Sequence, residues 1–169
     1  MSHLWLIGMM GSGKTEVGRR VAGAIGSRFV DTDFRLVADV GRSIPEIFEG
    51  EGESSFRALE AATLRTVASE REAVVATGGG VVLSEENIVL IRSTGTVVYL
   101  AASATRLARR IEGDTGRPLI AAGDRVTVLA GILEDRRELY ERACHEVVET
   151  DVLTLDQVAG EVMTRWKRS

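Results

Sequence analysis

The chain has 169 residues, 44% hydrophobic and 27% charged, which suits one globular domain with a single sizeable core. A formal net charge of −4 argues against a dedicated nucleic-acid surface, where basic residues cluster in excess. The single cysteine, Cys144, excludes an internal disulfide, and no apolar run approaches the roughly 20 residues of a membrane span, so a soluble chain without a signal peptide in a reducing, cytoplasmic setting is expected.

In chain order, Leu4-Trp5-Leu6-Ile7 reads as a short buried strand, and Lys14 to Ile25 carries Val17, Val21, Ala24 and Ile25 at helical spacing. Phe29-Val30-Asp31 reads as a second strand ending at Asp31-Thr32-Asp33. Ser43-Ile44-Pro45-Glu46 is a capping box with proline in the first turn, so a short helix is expected to start there. A helix from Ser54 to about Glu70 carries Phe56, Leu59, Leu64 and Val67, and Ala73 to Ala76 is a third strand opening into Thr77-Gly78-Gly79-Gly80. Ser84 caps a helix reaching about Arg92; Thr96 to Leu100 is a fourth strand and Ser103 to Arg110 a helix. Gly113 to Gly123 has no periodicity and reads as a mobile loop. Asp124 to Ala143 is a long helix, with Cys144 expected as a buried structural thiol at its end, and Glu146 to Glu149 is a fifth strand. Thr154 with Gln157 caps a last helix whose stripe is Leu155, Val158, Val162 and Trp166. Strands alternating with helices predict an α/β domain, a parallel sheet with helices on both faces, and ligands at the carboxyl ends of the strands.

Between the first strand and the first helix, Gly8-Met9-Met10-Gly11-Ser12-Gly13-Lys14-Thr15 matches the phosphate-binding pattern G-x-x-x-x-G-K-[ST] in its required strand–loop–helix context. Tight turns at Gly8 and Gly13 bring backbone N–H groups together at a helix N-terminus; Lys14 would reach the β- and γ-phosphates and Thr15 would bind Mg²⁺. Asp31 and Asp33, two apart, share one face if strand geometry continues, so one could hold a Mg²⁺-bound water while the other orients or deprotonates a substrate hydroxyl. The alternative is a capped helix start.

The 3.6-residue period places Arg136 on the apolar stripe of Leu129, Ile132, Leu133, Leu139, Tyr140 and Ala143, and Arg137 about 100° off it. A guanidinium there needs an anion, either an internal carboxylate or an anionic substrate. Arg57, beside Phe56 and three residues before Glu60, is a second such arginine, and an arginine pair suits a carboxylate. The triple glycine after a strand lets a ligand touch backbone, Arg117 reads as a lid arginine, and Arg110 is a candidate nucleotide contact.

Taken together, residues 8–15, Asp31-Thr32-Asp33, Gly52-Glu53 with Phe56-Arg57 and Glu60, Thr77 to Gly80, Arg117-Pro118-Leu119, and Arg136 four before Tyr140 resemble the shikimate kinase family, from about Leu4 to Trp166. The resemblance implies a three-layer P-loop kinase fold of nucleoside-monophosphate-kinase type, with a five-stranded parallel sheet. It also implies a lid over about 112–124 and a substrate-binding helical segment over about 33–60. The implied reaction moves the γ-phosphoryl of ATP to the 3-hydroxyl of shikimate, giving shikimate 3-phosphate and ADP in aromatic amino-acid biosynthesis. Asp33, Arg57, Gly78, Gly79, Gly80 and Arg136 then form the shikimate shell, and Lys14, Asp33 and Arg117 act on the transferred group. Gly11, Ser12, Gly13, Lys14, Thr15, Glu16, Arg110 and Arg117 contact the nucleotide, while Thr15 and Asp31 form the Mg²⁺ site. Glu16 and Glu138 depart from the family pattern, as does the absence of a proline in 150–154, which leaves the adenine contacts there open. The rivals are a kinase of the same fold for another hydroxy acid, such as gluconate, and a non-catalytic nucleotide-binding module. The expected partners are small molecules only, with neither nucleic acid nor membrane, and the expected state is a monomer.

Overall fold

The computed structural model describes residues 2–111 and 124–167. The expected lid of about 112–124, with Arg117, lies outside the described residues except for Asp124. Five strands, β1 (His3–Ile7), β2 (Phe29–Asp31), β3 (Val74–Ala76), β4 (Gly95–Ala101) and β5 (Glu146–Glu149), form one sheet in the order β2-β3-β1-β4-β5. Every pairing is parallel, with Leu6 opposite Ala76 on one side of β1 and Val98 on the other.

The central strand is buried on both faces, which is why it reads as an unbroken apolar run. Alternation divides its side chains. Leu4 and Leu6 meet Val17 and Val21 of α1 (Lys14–Ile25) and Val158 and Val162 of α7 (Leu155–Trp166). Trp5 and Ile7 share the opposite core with Leu64 and Val67 of α3 (Ile44–Ser69), Ile91 of α4 (Glu85–Thr94), Leu107 of α5 (Ala104–Arg110), and Leu129 and Tyr140 of α6 (Arg125–Ala143). The sheet thus lies between two helical layers. A smaller cluster of Leu36, Ile47 and Phe56 joins α2 (Thr32–Val40) to α3.

Helix starts follow the capping residues. Ser84, Ser103 and Asp124 each accept a backbone N–H, and Ser43 with Glu46 and Thr154 with Gln157 form complete capping boxes. Each such cap contributes about 1 kcal/mol. At Gly52 the chain turns through φ 81° and ψ 176°, so the two helices expected around this point run on without a connecting loop.

Three expectations change. Strand β2 stops at Asp31 and α2 begins at once, because the Asp31 carboxylate accepts the N–H groups of Asp33 at 3.0 Å and Phe34 at 3.3 Å. Two orphan amides satisfied by one side chain outweigh one more strand residue. Asp31 and Asp33 are therefore not alternate residues of a strand. Second, a 3-10 turn, Val81–Leu83, follows the triple glycine. Third, Cys144 is half-buried at the end of α6, where burial pushes its thiol pKa up and keeps it protonated. Among the described residues no helix is long and apolar enough to cross a membrane.

Candidate active site

The carboxyl ends of β1, β2 and β3 open on one cavity of about 170 Å³, lined by Gly11, Gly13, Lys14, Thr15, Glu16, Asp31, Asp33, Thr77 and Gly79 among others. Strand order dictates this meeting. The phosphate-binding loop leaves β1 while its neighbour β3 leads into the glycines, and Thr77 donates from both N–H and hydroxyl to the Leu6 carbonyl at 3.1 Å.

In the loop, Gly8 has φ 147° and Gly13 φ 93°, values that open the nest of N–H groups and start α1. Lys14 is buried and its Nζ donates to the Gly8 and Met9 carbonyls, each at 2.8 Å. The buried Ser12 hydroxyl has no partner among the described residues, which fits a phosphate oxygen as its partner. Thr15 donates to Asp31 Oδ2 at 2.6 Å, which places a hydroxyl and a carboxylate side by side at the cavity wall. These hard oxygen donors fit Mg²⁺. Among the described residues no three His, Cys, Asp or Glu side chains converge on a resident ion, so a cation here would take its other ligands from phosphate and water. The Glu16 carboxylate pairs with Arg19 and Arg20 at 3.1 Å each.

The triple glycine packs closely under side chains of α2 and α3. A Cβ on Gly78 would stand 2.9 Å from Asp33 Oδ1 and 2.7 Å from Glu60 Oε1; one on Gly80 would stand 2.7 Å from Arg57 Cζ. Gly78 N–H donates to the buried Thr32 hydroxyl, a contact that sequence reasoning did not single out, although Thr32 lies between the two flagged aspartates. Arg57 is engaged: it donates to Glu60 and Glu53 at 3.1 Å each and lies over the Phe56 ring at 5.2 Å, while its buried Nε has no partner among the described residues. Glu60 is buried, and desolvation pushes its carboxyl above the usual carboxylate range despite Arg57.

Arg136 is buried, as its position on the stripe predicts, and Arg137 is exposed. Among the described residues the internal salt bridge is not found. Arg136 donates to the Gly79 carbonyl at 3.2 Å and makes no ion pair with a carboxylate among the described residues. On the far side of the phosphate loop Arg110 donates to Thr150 Oγ1 and O at 3.1 Å and reaches the Gly11 carbonyl at 3.4 Å. Thr150 carries no sequence signal, because only the sheet brings β5 beside α5.

A phosphate-binding loop at the head of a central parallel strand, opening on a cavity that Asp33 and Gly79 also line, defines the class as a P-loop phosphotransferase. Residues 10–167 match the shikimate kinase family, and the chain belongs to it. It is therefore an ATP-dependent kinase with an alcohol acceptor. Shikimate kinase of Bordetella avium is 40% identical over 162 residues, 96% of this chain and 78% of that protein. That of Pelotomaculum thermopropionicum is 36% identical, covering 96% of this chain and 94% of its own. A solved shikimate kinase from Acinetobacter baumannii, in complex with shikimate, superposes with a TM-score of 0.94 at 33% identity, over 98% of this chain and 92% of that one. A gluconokinase from Sinorhizobium meliloti shares the fold at a TM-score of 0.65 and 22% identity, over 99% of this chain and 92% of its own; the family match does not favour the gluconate alternative.

Proposed function

We propose that this chain phosphorylates the 3-hydroxyl of shikimate from ATP, with the cavity between the phosphate loop and the triple glycine as the place of transfer. The observation that carries the reading is Arg136, a buried guanidinium that donates to the carbonyl of the central glycine, Gly79, and pairs with no carboxylate among the described residues. Such a group favours an anion arriving from outside. Arg57 and Arg136 hold the acceptor carboxylate, and Gly78, Gly79 and Gly80 allow the ring to approach backbone.

Asp33 accepts the acceptor hydroxyl's hydrogen bond. As the hydroxyl oxygen bonds to the γ-phosphorus, the bond from phosphorus to the β,γ-bridging oxygen breaks, ADP leaves, and the proton passes to Asp33. Positioning and charge neutralisation supply most of the rate. Lys14 and the N–H groups of 11–16 hold the phosphates, Arg110 lies toward the nucleoside, and Arg117, in a lid of about 112–124, reaches the transferred group. Thr15 and, through water, Asp31 would hold Mg²⁺, which when bound neutralises the phosphate oxygens. The helical segment of about 33–60 serves the acceptor, within a single domain. We read the protein as a cytoplasmic monomer that binds neither nucleic acid nor membrane.

A coupled ADP-release assay with ATP and Mg²⁺ tests this with shikimate, with gluconate and without acceptor. Shikimate-dependent turnover supports the reading. Gluconate-dependent turnover alone overturns the acceptor, and nucleotide binding without turnover overturns the kinase.

A further inference from the structure

The Gly79 carbonyl accepts two hydrogen bonds from one helix: Tyr140 Oη donates at 2.5 Å and Arg136 Nη1 at 3.2 Å. The two donors stand one turn apart on α6. Tyr140 is fully buried, its ring stacked on Tyr99 with centroids 4.8 Å apart and planes 13° apart. A phenylalanine would fill that space as well, so the hydroxyl has to be explained by what it touches.

It touches the piece of backbone on which both halves of the site depend. On the side of the phosphate loop, a Cβ on Gly79 would stand 3.3 Å from Met10 N and 3.5 Å from the Gly8 carbonyl, which itself accepts from Lys14. On the acceptor side, Gly78 abuts Asp33 and Glu60 while Gly80 abuts Arg57. Three consecutive glycines do not set their own conformation, so an outside anchor must.

We propose that Tyr140 is a positioning residue for the phosphoryl transfer: its hydroxyl fixes the Gly79 peptide, and with it the spacing between acceptor wall and phosphate loop. The peptide is trans, so a carbonyl held toward α6 turns the Gly80 N–H away from α6. Burial raises the Tyr140 phenol well above its ordinary pKa, so it remains a donor at working pH.

This rests on the cavity being the acceptor site, and Tyr140→Phe tests it in the whole enzyme. The variant keeps the ring stack and removes only the donor. Expected are a loss of about tenfold in kcat/KM for shikimate, a KM for ATP within about twofold of wild type, and an unchanged fold by far-ultraviolet circular dichroism. Because Tyr140 and Arg136 share one carbonyl, Tyr140→Phe should cost less in an Arg136→Lys background than in wild type. Unchanged kcat/KM for shikimate, equal losses for ATP and shikimate, or fully multiplicative losses in the double variant would each overturn the assignment. Wild-type enzyme without shikimate-dependent turnover would overturn the acceptor reading itself, and this inference with it.

Discussion

Replacing Gly80 by alanine separates the acceptor shell from the fold. Gly80 has φ −94° and ψ 4°, a conformation open to alanine, so the backbone adds no strain. The new methyl, however, would lie 2.7 Å from both Arg57 Cζ and Nη2 and closer still to Nη1. Restoring a contact of about 3.5 Å moves the guanidinium by about 1 Å or more, away from Glu60 and Glu53. A side-chain tip gives way easily, and these ion pairs are partly exposed, so the stability cost stays near about 1 kcal/mol, or about 2–4 °C in melting temperature. The catalytic cost is larger, since a misplacement of about 1 Å can lose about 10²-fold in rate. Steady-state kinetics with each substrate varied, beside a thermal melt, should show kcat/KM for shikimate down by about 10²-fold, or about 2.7 kcal/mol, with KM for ATP little changed. Gly79→Ala presses instead on Met10 N and the Gly8 carbonyl, and should raise KM for ATP as well. If Gly80→Ala kept kcat/KM for shikimate within about threefold of wild type, Arg57 would not hold the acceptor.

Asp33→Asn should lower turnover by about 10²–10⁴-fold with the fold intact, because the cap on α2 uses the Asp31 carboxylate and the Asp33 backbone; near-full turnover removes Asp33 from proton transfer. Arg117→Ala should cost about 10²-fold in turnover and far less in ATP affinity, and unaltered turnover would make Arg117 a surface charge. Stability should fall in acid through His145, whose Nδ1 accepts the Val97 N–H at 3.0 Å and so must stay unprotonated. Desolvation and the nearby Arg92 hold its pKa below the ordinary value, with Glu146 opposing. The folded value lies below the unfolded one, so this contribution is complete above about pH 6.5 and fades as pH falls through the folded pKa. The melting-temperature difference between pH 8 and pH 5 should shrink in His145→Asn, whose amide oxygen can accept the same N–H; an undiminished difference assigns the acid sensitivity elsewhere.

Much of the architecture is legible in the chain because parallel strands buried on both faces are unbroken apolar runs, and because capping residues mark the starts of α3 to α7 at Ser43, Ser84, Ser103, Asp124 and Thr154. Arg136 is legible for a similar reason: a charge on an apolar stripe contradicts its neighbours and demands an explanation. Asp31 misleads because one residue type serves both a strand end and an N-cap, and only the two amides it accepts decide between them. The ion pairs of Arg57 follow from its spacing to Glu53 and Glu60, yet its seat on Gly80 needs β3 beside α3. Tyr140 hides best of all, since an aromatic residue on a buried stripe reads as core. Its hydroxyl gains meaning only when the Gly79 carbonyl is found beneath it.

The most direct test is the position of the phosphate in the product. After incubation with ATP, Mg²⁺ and shikimate, ³¹P–¹H correlation spectroscopy should show one new phosphomonoester coupled to the proton on carbon 3 of the ring. An ester on another hydroxyl, or inorganic phosphate alone, would contradict the placement of Asp33, Arg57 and Arg136 around a bound shikimate.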